Sequence, residues 1–383
     1  MSKRLAEEDA ETSINTKRIR STQKEGHVSD CNDPECEGCD VGEIEISFVH
    51  KDKDGNDQTS KPSAHDLLSM AVTEADTDQK SEIVRRLFDM ALEQFEKIEP
   101  EDRAGYATCL VELGRAIDVE ESLREALDIF RGIVKKDASA MTSEHWLTMA
   151  KAATGLLILI RKRLNGGFEE LLEELEEDAP SEEQLRKYSL KREEINLYKE
   201  AVNATEKALA SPNDLPSKEA RFALHDLHSY AQLLDHPQHL DHVSAIADVL
   251  TRSIQQFSYH KDADLLALKA STLIHKQNLL ADDVEIQKEL CNESEKLLLD
   301  ANKFYKEEHK NEYPRGWELL AMLQLNQSNL LDDEDEVVKK YDEAVESFKT
   351  AHKLNPDNTE LENMVNMLSG ESQEEDEEEG EEE

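Results

Sequence analysis

From Ala64 to Leu368 apolar side chains return every three to four positions with little interruption, and that period belongs to helices. The stretch SEIVRRLFDMALEQFEKI shows it best. It sets Ile83, Leu87 and Met90, then Ala91, Phe95 and Ile98, at helical spacing with charges between them. Glycine and proline fall mainly between such segments, where helices stop. The expected fold class is therefore all-α.

A finer pattern sits on the helices. Leu110, Leu113, Gly114 and Ile117 stand at the first-helix positions of the tetratricopeptide signature, and Ala126 and Phe130 follow at the second-helix positions. Trp317, Leu320 and Ala321 open a first helix near the C-terminus. Ala344, Phe348, Ala351 and Pro356 complete its second helix, after an insertion containing NLLDDEDE. Trp146, Met149 and Ala150 open another, whose second helix is expected at about Ala201–Ala208, displaced by the acidic stretch 166–184. Ala91 and Phe95 mark a second helix ahead of all these. Small residues let paired helices approach, and large ones fill the space between successive repeats. The alternative is an arbitrary helical bundle. Residues 215–300 read as helical but align with no repeat. The organisation expected is an arm over 1–62, a tetratricopeptide-like helical repeat solenoid over 63–368 and an acidic tail over 369–383.

Charge narrows the function. A formal net charge of -42 repels phosphate backbones and anionic lipid, so neither direct nucleic-acid binding nor membrane docking is expected. The longest apolar run, GLLILI, is too short to span a bilayer, and Met1 to Asn15 lacks the apolar core of a secretory signal. Five unevenly placed cysteines imply a reducing compartment, and Cys109 and Cys291 fit the helical core. The chain has no glycine-rich phosphate loop, no G-x-S-x-G and no H-E-x-x-H, so an enzyme is not expected. Within LHDLHSYAQLLDHPQHLDH, His225 and His228 share a helix face, and His239-Leu240-Asp241 is an H-x-D like that of iron sites. Those sites sit on β-strands, whereas Pro237 marks an interhelical loop here, so surface and turn histidines are expected.

The arm carries three signals. EIEISFV alternates Ile44, Ile46 and Phe48 with polar residues, and the turn chemistry of DKDGND follows, which suits a small hairpin. CNDPECEGC places Cys31, Cys36 and Cys39 close after His27. That set suits a structural zinc site or, lacking a fourth cysteine, the start of an iron–sulfur loop. The reading adopted is a thiol-bearing arm with no cofactor. Lys3-Arg4 and KRIR (Lys17, Arg18, Arg20) flank twelve residues, the interval of a bipartite nuclear localisation signal. It implies a nuclear import receptor as partner, and residence in the nucleus as well as the cytoplasm.

The basic arm, the divergent repeats and the pattern GWELLAMLQLNQSNLLDDEDE…YDEAVESFKTAHKL resemble the fungal enhancer of translation termination family, most clearly over 313–368. The nearest branch is the fission-yeast one. The resemblance implies a nuclear adaptor that binds, restrains and helps import a prolyl-hydroxylase-like Fe(II) and 2-oxoglutarate dioxygenase in hypoxic and sterol-responsive transcription. It also implies a link to the translation-termination machinery. No catalytic motif defines the family, so no catalytic residue is carried over, and the cysteine array has no assigned place in it. Two other readings compete. A co-chaperone clamp needs Lys, Arg and Asn on successive first helices, of which EHWLTMAKAATG supplies Lys151. An acidic chaperone would hold basic clients with its tail.

Overall fold

The computed structural model describes residues 48–51, 57–77, 82–98, 102–175, 180–210, 217–256, 260–280 and 283–369. Two compact units divide between Ile117 and Asp118.

The first unit holds an antiparallel hairpin, β1 (Phe48–Lys51) with β2 (Asp57–Ser60), in the register Phe48 to Ser60. The strand expected over 43–49 is met at its end; Ile44 and Ile46 lie outside the described residues. Three helices follow: α1 (Ala64–Thr77), α2 (Glu82–Ile98) and α3 (Arg103–Ala116). Leu67 and Ala71 of α1 meet Val84, Phe88, Ala91 and Phe95 of α2, and Cys109 and Leu113 of α3 close the core. The buried stripe of α2 is shifted from the one read in the sequence. Ile83 and Ile98 are 47% and 41% exposed, while Val84 and Phe88 are fully buried. Asp102 caps α3 by accepting from the Gly105 amide at 2.9 Å and also meets His65 of α1. A Cβ at Gly105 would lie 2.6 Å from the Phe95 ring, so the missing side chain lets α3 start against α2.

The second unit opens with α4 (Glu120–Lys136) and α5 (Ser143–Leu175), followed by α6 (Glu182–Tyr188) and α7 (Arg192–Leu209). Then come α8 (Ser217–Gln232), α9 (Leu240–Gln256), α10 (Ala263–Leu279) and α11 (Val284–His309). It ends with α12 (Pro314–Ser328), α13 (Glu334–Leu354) and α14 (Thr359–Ser369). The packing repeats. α5 pairs with α7, α8 with α9, α10 with α11 and α12 with α13. Each first helix also rests on the second helix before it: α5 on α4, α8 on α7, α10 on α9 and α12 on α11. First helices touch in turn, from α5 through α8 and α10 to α12, and α14 covers α13. This is an all-α helical repeat fold, and residues 215–300 supply two of its pairs.

The sequence joins Leu113 and Gly114 to Ala126 and Phe130 in one repeat, within one body over 63–368. The structure places the first two residues in the first unit and the last two in the second. Cys109 and Leu113 of α3 pack with α1 and α2, while α4 packs on α5. Between them Asp118 takes the left-handed conformation, with φ at 55°, which ends the α3 segment.

Candidate functional site

Arg161 near the middle of α5 and Glu194 in the first turn of α7 are both wholly buried. The guanidinium reaches Glu194 through Nε at 3.0 Å and through Nη2 at 2.5 and 2.6 Å. Its Nη1 donates to the Tyr188 carbonyl at 2.9 Å. Glu194 Oε2 also accepts from the Lys191 amide, so the same carboxylate caps α7. The Tyr188 hydroxyl returns to the Gly167 carbonyl at 2.8 Å, and its ring packs on Phe168. One cation therefore joins α5, the end of α6 and the start of α7, and Tyr188 holds Gly167 and Phe168 beside it.

Histidines surround this joint. His239 ends a short 3-10 turn (Pro237–His239) and is 2% exposed; His242, on α9, packs on Tyr198 with the rings tilted and their centroids 4.6 Å apart. Burial first, and the Arg161 charge second, push His239 down to about 4, so it is neutral near pH 7. His228 is pushed down to about 3, chiefly by burial, and shares a 2.9 Å hydrogen bond with Thr272. The surface reading thus holds for His225, which is exposed, and is corrected for His228 and His239, which are core groups. Helix packing encloses them, as it does the thiols. Burial raises Cys109 to about 12 and Cys291 to about 11, which suppresses thiolate chemistry. Among the described residues no three His, Cys, Asp or Glu are grouped to hold a metal ion. No described helix is long and apolar enough to cross a membrane.

The solvent side of the same helices carries a groove. Arg124 of α4 binds Glu193 of α7 at 2.6 Å, and Arg131 binds Glu200 at 2.6 and 2.9 Å. Both pairs span 69 residues, one two helical turns beyond the other, so α4 and α7 run side by side in one direction. Between them opens a groove of about 430 Å³, floored by Leu127, Leu156 and Leu197. Arg124, Asp128, Arg131, Arg192 and Glu193 stand around it. Bonded carboxylates raise Arg131 above the usual guanidinium range, Glu200 most of all. Arg192 is exposed and forms no ion pair with a described residue. Sequence reading missed these groups. Their one signal is matched spacing, Arg124 and Arg131 against Glu193 and Glu200.

Of the residues singled out in the sequence, Lys3, Arg4, Lys17, Arg18, Arg20, His27, Cys31, Cys36 and Cys39 lie outside the described residues. Ala126, Phe130, Ala344 and Phe348 are at most 1% exposed, and Leu113, Trp146 and Leu320 are buried. Gly114 is buried in α3, whereas Pro356 is exposed in the turn after α13. Trp146 lies under Lys207 of α7, whose Nζ is 4.1 Å from the ring centre. Trp317 is half-buried against Ala321, Phe348 and Ala351 of its own helix pair.

No protein-family model matches the chain, and no curated protein matches it. Solved structures similar to it include the following two. One is of the hypoxic regulator of sterol synthesis Nro1, described as a nuclear import adaptor: 14% identity, TM-score 0.48, covering 79% of this chain and 92% of that one. The other is of the nuclear import adaptor Nro1 of S. pombe: 13% identity, TM-score 0.46, covering 80% and 99% respectively. Likeness at this level does not establish a family. The fold here rests on the packing of the chain's own helices.

Proposed function

We propose that the chain is a non-catalytic adaptor, whose helix pairs hold a partner protein while the basic arm engages a nuclear import receptor. The observation that carries this reading is the contrast between interior and surface. The perturbed thiols and imidazoles are enclosed and held in their neutral forms, while the groove outside offers an apolar floor and charged rim. The partner follows from the family resemblance over 313–368: a prolyl-hydroxylase-like 2-oxoglutarate dioxygenase, bound and restrained in hypoxic and sterol-responsive transcription. A role in translation termination rests on the same resemblance.

The test has two arms. Purified full-length chain is expected to capture purified dioxygenase, and Lys17, Arg18 and Arg20 to Ala is expected to shift the protein to the cytoplasm in live cells. Unchanged nuclear accumulation sinks the import signal. Capture of release factors or ribosomes without the dioxygenase replaces its regulation by termination. The net charge of -42 favours one further reading, an acidic chaperone for basic clients. Copurification of histones or ribosomal proteins, lost when residues 371–383 are removed, would select it.

A further inference from the structure

We infer that Ser189, in the connector between α6 and α7, is a phosphorylation site for an arginine-directed serine/threonine kinase. Such regulation is independent of which partner the adaptor holds. The connector reads RKYSLKR over 186–192, four cations and no carboxylate in seven residues of a chain that carries -42. Arginine stands three positions before Ser189, lysine two before and leucine one after. An acidic substrate groove reads that arrangement by charge and register. Among the described residues no other serine or threonine has arginine three positions before it. Arg186, Lys187, Lys191 and Arg192 are all exposed. Their one ion pair with a described residue is a loose contact of Arg186 with Glu182 at 3.7 Å, so a kinase meets the charges unmasked.

The backbone presents this serine. Ser189 ends α6 in an extended conformation, φ -63° and ψ 157°, and its hydroxyl donates to the Arg186 carbonyl at 2.8 Å. No residue of α6 is buried, and seven residues are too few to hold a helix alone. Freeing this turn to lie extended in a kinase groove therefore costs little. The transfer joins Ser189 Oγ to the γ-phosphorus of a magnesium–nucleoside triphosphate as the bond from that phosphorus to the β,γ-bridging oxygen breaks. The hydroxyl proton passes to the kinase's catalytic base, and the nucleoside diphosphate leaves. The new group carries about -1.5 to -2 charge. Lys187, Lys191 and Arg192 flank it, and α7 opens at Arg192 with its positive end. The nearest opposing carboxylate in the chain, Glu193, is bonded to Arg124. The phosphate thus draws these cations into charge-assisted hydrogen bonds and ties the connector to the start of α7. It does so next to the Tyr188 carbonyl that accepts from Arg161.

The experiment treats purified full-length chain with magnesium–ATP and the catalytic subunit of cyclic-AMP-dependent protein kinase. Tandem mass spectrometry is expected to place one phosphoryl group on Ser189, and Ser189→Ala to lose it. Arg186→Ala should lower kcat/KM for the chain about tenfold or more. Its side chain is 80% exposed, so the variant should keep the wild-type melting curve, which is recorded alongside. The peptide spanning Ser189, recovered from the chain isolated from its own cells with phosphatases inhibited, should carry a phosphorylated fraction. Hydrogen exchange of the 188–193 amides should slow in the phosphorylated chain and return to the unmodified rate in Lys191→Ala with Arg192→Ala. Four results overturn the proposal: no transfer to the folded chain, transfer confined to another residue such as Ser21 (which follows Arg18 and Arg20), a rate indifferent to Arg186→Ala, or a cellular peptide recovered wholly unmodified. Unchanged exchange overturns the docking of the phosphate on α7.

Discussion

Arg161 and Glu194 join three segments with one charge pair, and nothing in their local sequence marks them out. LIRKRLNGG reads as the polar end of a helix and KREEIN as an ordinary acidic first turn. The pair is fully buried, so removing one partner strands the other's charge. Arg161→Met is expected to cost about 3–5 kcal/mol in urea unfolding, and adding Glu194→Leu should recover much of that loss. A double variant no more stable than the single one would show that the pair does more than satisfy itself. The histidines add a pH dependence. In the unfolded chain each titrates near the ordinary 6.5; in the fold His239 sits at about 4 and His228 at about 3. As pH falls below 6.5 the unfolded chain takes up protons that the folded chain refuses. Stability present near neutrality is therefore lost on acidification, by up to about 1.4 kcal/mol per pH unit for each histidine. His239→Gln should flatten the fall in urea midpoint between pH 7 and 5; an identical slope contradicts this account.

The α12–α13 pair shows what an element demands of its residues. A Cβ at Gly316 would lie 1.9 Å from Asn302 Oδ1 of α11 and 2.7 Å from Tyr313 Cδ1. α12 therefore approaches α11 through a glycine, and Gly316→Ala should destabilise by about 1–3 kcal/mol in thermal melts. Phe348 is 1% exposed, so Phe348→Ala should cost about 3–5 kcal/mol. Trp317, which the repeat pattern sets at the opening of this first helix, is only half-buried at the start of α12, and its replacement by Ala should cost less. The reverse order would show that Trp317, not Phe348, anchors the pair. The preceding pair repeats this design in altered residues. Ser294, Leu298 and Ala301 of α11 are fully buried with the spacing of Ala344, Phe348 and Ala351 in α13. Asn278-Leu279-Leu280 likewise returns as Asn329-Leu330-Leu331. With Ser for Ala and Leu for Phe, a search for the signature letters passed over residues 215–300, though the packing positions survive.

At the scale of the whole molecule, the helices carry cores of their own, α1 to α3 in one unit and α4 to α14 in the other. A fragment lacking residues 1–62 should keep the helical circular-dichroism signal and nearly the same melting temperature; a collapse of either contradicts that. Exchanging Cys31, Cys36 and Cys39 for Ser should likewise leave the melt unchanged, and stoichiometric zinc lost in that variant would overturn the cofactor-free reading of the arm. The all-α class and the positions of most helices were legible in the chain, because a 3.6-residue period is a local property that survives any tertiary arrangement. So was the displacement of a second helix by the acidic stretch, since Trp146 at the start of α5 and Ala201 in α7 each lie in an unmistakable pattern. The break at Ile117, the burial of His228 and His239, the Arg161–Glu194 joint and the groove were decided by tertiary structure alone. Each depends on which face of one helix meets a helix tens of residues away. That choice is made by the free energy of the assembled core, to which no short window of sequence has access.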